Sequence, residues 1–308
     1  MTSIATADRG NEKIQFDSFL KPFQARIIEQ IGKNMALLHN NGILREACEY
    51  ALLNGGKRFR PALVLMIADA LRSENDVSSA ALAVEYFHTA SLVADDLPCM
   101  DDDDERRNKP SVHKVYGEAI ALLASYALIA EGFAGISTCV NALKKKNYHS
   151  RASWDAIGML ALENASFNTG LQGATGGQFL DIFPPDLALA SLREILHKKT
   201  VSLFEISFVF GWLFGGGNPE ALPAVKQAAS HFGMAFQIAD DLGDVEQDAA
   251  NGRKVNVANV FGIKAAQQMF HEEIRGYRET LKILGLTSKE MQDLATYLET
   301  LAGVGVIY

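Results

Sequence analysis

Apolar residues along the chain recur at every third or fourth position, the period of helices that bury one face, and the Val/Ile/Thr alternation of strands is scarce. Proline is 8 of 308 residues, so long helices can run unbroken. Breaks fall at "NNG" (40–42), "SEND" (73–76), "NKP" (108–110), "KKKNYHSRAS" (144–153), "FPPD" (183–186), "GGGNPE" (215–220) and "DAANGRK" (248–254). Connections are short, and no repeat or linker-like stretch divides the chain. The pattern predicts an all-α protein, a single domain over residues 1–308 with about ten or more helices. The longest apolar runs, "AIALLASYALIA" (119–130) and "ISFVFGWLFGGG" (206–217), fall short of the roughly 18 residues that span a bilayer. Both are expected to be buried helices, and no membrane span is expected.

Composition narrows the class. With 48% hydrophobic and 21% charged residues the chain is a folded protein rather than a disordered one, and its net charge of −8 argues against nucleic acid as a partner. Cys48, Cys99 and Cys139 are an odd number without a CxxC pair, which suggests neither a disulfide framework nor a thiolate metal site. A reducing, cytoplasmic location is expected. The N-terminal "MTSIATADRGNEKIQ" lacks the apolar core of a secretory signal, and residues 1 to about 12 are expected to fray.

Two acidic segments carry the chemistry. In "HTASLVADDLPCMDDDDERRNKP", His88, Ser91 and Asp95 lie at i, i+3 and i+7, and seven residues at about 100° each return to within roughly 20° of the starting direction. These three share a face. Asp96 adds a neighbouring carboxylate, Pro98 disturbs the helix, and Asp101 follows one loop later. Taken alone, such a run reads as solvated surface. A second segment, "GMAFQIADDLGDVEQD" (233–248), changes that reading, because Gln237, Asp240, Asp241 and Asp244 form one stripe on an otherwise apolar helix. Like charges at this spacing repel unless cations sit among them. Oxygen ligands on rigid helices suit Mg²⁺, which keeps waters and takes further ligands from substrate phosphates; neither segment has the glycine and ligand ladder of an EF-hand calcium loop.

A metal-bound polyanion needs basic residues around it. Candidates are Lys57 and Arg60 in "NGGKRFRP", beside Gly55 and Gly56 where backbone can approach an anion, and then Arg106 and Arg107. Each taken singly also reads as a surface charge, and a lone His88 as a satisfied core histidine.

Together "GGKRFRP", "HTASLVADDLPCMDDDDERRNKPSVHKVYGE", "GGQFLDI", "HKKT" and "FQIADDLGD" resemble the trans-prenyltransferases, the head-to-tail isoprenyl diphosphate synthases. The match runs in the family's order from about residue 50 to about 262, and the stretch after Asp95 looks most like geranylgeranyl diphosphate synthases. The resemblance implies an all-α bundle around a deep central cavity in which three Mg²⁺ ions grip the diphosphate of an allylic substrate: dimethylallyl, geranyl or farnesyl diphosphate. Asp95 and Asp101 would carry two ions and Asp240 the third, with Asp96 and Asp244 in support. Arg106 would bind the allylic diphosphate, and Lys57, Arg60, His88 and Arg107 that of isopentenyl diphosphate. Lys199, Thr200 and Gln237 match positions near the diphosphate and the nascent cation, and Lys254 matches a lysine that closes over the site. The metals neutralise the leaving diphosphate, which then takes the proton, so no protein base is needed. The resemblance further implies a homodimer, and product length set by the small residues Ala90 and Ser91, where shorter-product relatives carry an aromatic.

Two departures from the family pattern stand out: Ser125 and Tyr126 replace a Gly-Asp pair and could re-line the cavity, and the loop after the second motif is short. Three alternatives remain at this level: farnesyl diphosphate as the product, a non-catalytic partner subunit, which would usually have lost aspartates of one motif, and a terpene cyclase, which has no use for an isopentenyl diphosphate site. A purely structural helical protein would leave both stripes uncompensated.

Overall fold

The computed structural model describes residues 20–35, 42–146, 152–250 and 255–303, with side chains omitted at 249–250. The expected N-terminal tail and Lys254 lie outside the described residues. Helices account for most of the described chain: α1 (20–35), α2 (Ile43–Leu53), α3 (Phe59–Ala70), α4 (Ser78–Asp95), α5 (Val112–Tyr116), α6 (Glu118–Lys145), α7 (Trp154–Thr169), α8 (Ala174–Ile182), α9 (Leu189–Leu196), α10 (Ser202–Phe214), α11 (Leu222–Gly243), α12 (Val245–Ala250), α13 (Val257–Phe261), α14 (Ile263–Leu284) and α15 (Lys289–Leu301). The all-α expectation holds, and the strands among the described residues are the two-residue β1 (Glu105–Arg106) and β2 (Lys109–Pro110).

The bundle is built around α10, whose "SLFEISFVFGWLF" is mostly apolar around its circumference; all thirteen of its residues are buried. Against it pack α3, α4, α7 and α11. Phe204, Phe208, Phe210 and Phe214 have no exposed surface, and truncating any one to Ala would cost about 3–5 kcal/mol. The outer helices bury a stripe instead. On α14, Ala266, Phe270, Ile274, Tyr277, Leu281 and Leu284 recur at three- and four-residue steps and face α11.

One expectation is corrected. The run 119–130 belongs to α6, which continues to 28 residues and is long and apolar enough by length and composition to cross a bilayer, yet only 33% of its most apolar stretch is buried. Ala121, Ala124, Ser125 and Leu128 face inward against α4, whereas Leu122, Leu123, Tyr126 and Ile129 are exposed. A helix apolar all round need not be covered all round by its own chain.

The hairpin was also not foreseen. Arg107 and Asn108 take φ of 58° and 62°, the left-handed pair that turns a two-residue hairpin, and Glu105 pairs with Pro110 and Arg106 with Lys109. Asn tolerates this region; Arg seldom does, which hides the turn from sequence.

Candidate active site

Asp95 is the last residue of α4, and Pro98 three residues on cannot donate to a continuing helix, so the chain folds back on the helix end. The Asp101 amide donates to the Asp95 carbonyl at 2.9 Å, which sets the two carboxylate-bearing residues side by side. From α8, the Gln178 amide donates to Asp101 Oδ1 at 3.2 Å. The second stripe stands opposite: Asp240 and Asp241 on the last turn of α11, Asp244 capping it, and Asp248 on α12. Between the stripes lies a cavity of about 820 Å³.

Asp95, Asp101, Asp103, Asp181, Asp240, Asp241, Asp244 and Asp248 line this cavity, with Lys199, Thr200, Gln237 and Arg106. Lys199 and Thr200 lie on a π-helical turn, His197–Val201, between α9 and α10. Such wide turns interrupt the regular ladder and occur at functional sites. Gly177 of α8 backs this turn closely enough that a Cβ there would collide with the Lys199 backbone. Lys199 Nζ pairs with Asp181, while the Thr200 hydroxyl donates to Gln237 Oε1 at 2.8 Å and the Gln237 amide donates to Asp241 Oδ1 at 2.9 Å. Asp241 Oδ2 accepts the Val257 amide at 2.8 Å, which ties the stripe to α13.

The donor set fits hard divalent cations. Among the described residues, eight aspartates face Arg106 and Lys199 as the cavity's basic residues, an excess of negative charge carried by oxygen ligands. Burial first, then the neighbouring Asp101 and Asp96, push Asp95 up to about 7 against the pull of Lys199 and Arg106. Burial, with Asp240 and Asp248, likewise pushes Asp241 up to about 6 despite its two hydrogen bonds. A carboxylate whose folded pKa is raised binds a proton that the unfolded chain has already lost, so metal-free stability falls as pH climbs from about 4 to about 7. Bound Mg²⁺ reverses this preference. The Mg²⁺-induced rise in Tm should therefore be larger at pH 8 than at pH 5.5; equal rises would show that these carboxylates do not hold the metal.

Asp96, expected in support of the metal-bearing aspartates, gives that support through Arg106. It is buried, does not line the cavity, and its Oδ1 accepts Arg106 Nε at 2.8 Å and Nη2 as well. Asp103 holds the same Nη2 at 2.9 Å. Asp96 therefore acts by fixing Arg106, which does reach the cavity.

Lys57, Arg60, Arg107 and His88 lie outside the cavity lining, and Arg60, Arg107 and His88 lie close to one another. Arg60 lies 4.3 Å above the Phe204 ring, with Nη1 3.4 Å from His88 Nε2. Burial and then Arg60, Arg107, Arg58 and Arg106 hold the His88 pKa well below its usual value, so its imidazole is neutral. Arg107 Nη1 donates to the Gly55 carbonyl across Gly56, whose φ of 98° and lack of a side chain leave room for the guanidinium. Ala90 is fully buried, and its carbonyl accepts the Ser125 hydroxyl at 2.9 Å; half-buried Ser91 donates to the His88 carbonyl at 2.9 Å. Tyr126 is 59% exposed, so the departure at 125–126 joins α6 to α4 rather than filling the cavity.

Sequence reasoning missed several residues. Asp181, Asp103 and Asp248 line the cavity, and Gln178 orients Asp101; the quoted "GGQFLDI" contained two of the four, with no spacing to flag them. Arg58, next to two singled-out cations, is instead buried against Glu85. Asp102, Asp104 and His113 also cluster within 4.8 Å, but Lys114 already neutralises Asp104 at 2.6 Å.

The chain is similar to known proteins. A geranylgeranyl pyrophosphate synthase of Arabidopsis thaliana is 33% identical over 82% of this chain and 68% of its own length. A farnesyl diphosphate synthase of Bacillus subtilis is 36% identical over 74% of this chain and 75% of its own. The crystal structure of a geranyltranstransferase from Thermotoga maritima, 29% identical, superposes with a TM-score of 0.73 over 91% of this chain and 96% of that one. With both aspartate stripes on one cavity, and the polyprenyl synthetase family model matching residues 41–293, the chain belongs to the polyprenyl synthetase family and is a prenyltransferase that joins isopentenyl diphosphate to an allylic diphosphate.

Proposed function

We propose that the protein is a geranylgeranyl diphosphate synthase, extending dimethylallyl, geranyl or farnesyl diphosphate with isopentenyl diphosphate, and that it works with three Mg²⁺ ions. Bound Mg²⁺ would neutralise the diphosphate as the allylic carbon–oxygen bond breaks. Asp95, Asp101, Asp240 and Asp244 would hold it, and Arg106, fixed by Asp96 and Asp103, meets the allylic diphosphate. Lys199, Thr200 and Gln237 set an ammonium and two oxygen dipoles beside the carboxylates, where developing charge is stabilised without reorganisation. The neutral imidazole of His88 can accept or donate one hydrogen bond beside Arg60 and Arg107.

The observation that carries the longer product is the pair Ala90 and Ser91. Ser91 sits one turn before Asp95, and neither residue can form an aromatic floor beneath the diphosphate. The Bacillus relative's name favours farnesyl diphosphate as the second reading. Purified protein with Mg²⁺, isopentenyl diphosphate and each allylic starter should yield geranylgeranyl diphosphate by mass spectrometry, and Ser91→Phe should shorten the main product to farnesyl diphosphate, since overfilling a packed site is costly. Wild-type protein that stops at farnesyl diphosphate, or a Ser91→Phe variant with unchanged product, overturns the assignment.

A homodimer is supported by the exposed apolar row Leu122, Leu123, Tyr126 and Ile129 on α6, a face that a second copy would cover. A cytoplasmic site of action is supported by three free thiols, Cys99 among them exposed.

A further inference from the structure

Lys57 stands on a non-helical loop after Gly55 and Gly56, both with positive φ, so the loop itself imposes little on the lysine side chain. The ammonium is nevertheless placed. Lys57 Nζ donates to Tyr297 Oη at 2.9 Å and lies 5.6 Å from the centroid of the same ring. Tyr297 comes from α15, 240 positions along the chain, and is only 5% exposed. Its ring packs on Phe59 at 6.0 Å, Phe59 packs on Phe204 at 6.2 Å, and Phe204 carries Arg60 on its face. Lys57 and Arg60 of "GGKRFR" are thus seated at opposite ends of one run of three buried aromatic rings. Aromatic faces attract cations and cannot be displaced without disturbing the core, so the run sets the spacing between Lys57 and Arg60.

We infer that Tyr297 is a positioning residue for isopentenyl diphosphate: through its hydroxyl it holds the Lys57 ammonium in the place where the diphosphate of the second substrate is to be met. This deepens the functional reading above and rests on the assignment of Lys57 to that diphosphate, which the family resemblance implies. The chemistry is that of a flexible, rotamer-rich side chain made ready in advance. Free lysine must give up its rotamers on binding the anion, whereas a lysine already tethered has given up most of them on folding.

Tyr297→Phe keeps the ring, its packing on Phe59 and its face toward the ammonium, and removes only the hydroxyl. It should raise the KM for isopentenyl diphosphate about five-fold, the scale of one net hydrogen bond, while the KM for the allylic diphosphate, kcat and Tm stay within error. Lys57→Ala should raise the same KM by more, and adding Tyr297→Phe to it should then change nothing further, because the tether has lost its load. Equal effects of Tyr297→Phe on both substrates, or an undiminished effect in the Lys57→Ala background, would show that Tyr297 acts through packing alone and overturn the inference. No effect of Tyr297→Phe where Lys57→Ala has one would overturn it as well. If Lys57→Ala itself leaves the KM for isopentenyl diphosphate unchanged, the assignment of Lys57 to the diphosphate fails and the inference fails with it, while the metal and product-length readings stand on their own tests.

Discussion

Asp95→Asn and Asp240→Asn should each lower kcat by roughly 10³-fold or more with helical content unchanged, the scale seen when one preorganised electrostatic element is removed from a reaction that develops charge. The reason lies in the division of the cavity wall. Asp95 and Asp101 reach it from the end of α4 and the loop behind it, Asp240 and Asp244 from the end of α11, and no residue of one stripe can take the place of the other. Asparagine keeps the size of the side chain and gives up its charge. In Asp95→Asn the lost carboxylate is one whose ionised form burial already disfavours and which holds its charge only against a bound cation or Lys199. Steady-state turnover at saturating Mg²⁺ with circular dichroism on the same samples checks this, and near-wild-type turnover in either variant would mean that the two stripes do not act as one site.

A comparable effect on stability is expected at a residue that touches no substrate. Glu85 is 1% exposed and pairs with Arg58, itself buried, whose other nitrogen donates to the Leu52 carbonyl. Thr89 adds a hydroxyl to the same carboxylate oxygen at 3.3 Å. Glu85→Ala leaves the Arg58 guanidinium buried without its counter-charge and should destabilise the fold by about 3–5 kcal/mol in urea denaturation. A loss under 1 kcal/mol would show that Arg58 finds water or another partner when Glu85 is gone.

The contrast between these two positions tells what was legible beforehand. Asp95 and Asp240 announce themselves: acidic residues at helical spacing on apolar helices cost energy with no local return, and such a conflict in a sequence marks a site. Glu85 and Arg58 carry no such mark. They are separated by 27 positions, and nothing local tells a buried ion pair from two surface charges. The contact of Asp96 is hidden for a related reason, since its helical position follows directly from that of Asp95 but its orientation depends on the hairpin that returns Arg106 to it.

By itself the sequence determined the all-α class, the two aspartate stripes, the basic segments and the small residues ahead of the first stripe, because helical period and like-charge crowding are local properties read over one or two turns. Tertiary structure alone decided that Asp181, Asp103 and Asp248 join the cavity wall, that α6 leaves an apolar face uncovered, and that Lys57 is held from the far end of the chain by Tyr297. Those outcomes depend on which helices meet and where a loop turns back, and contacts across hundreds of residues leave no period in the sequence from which to read them.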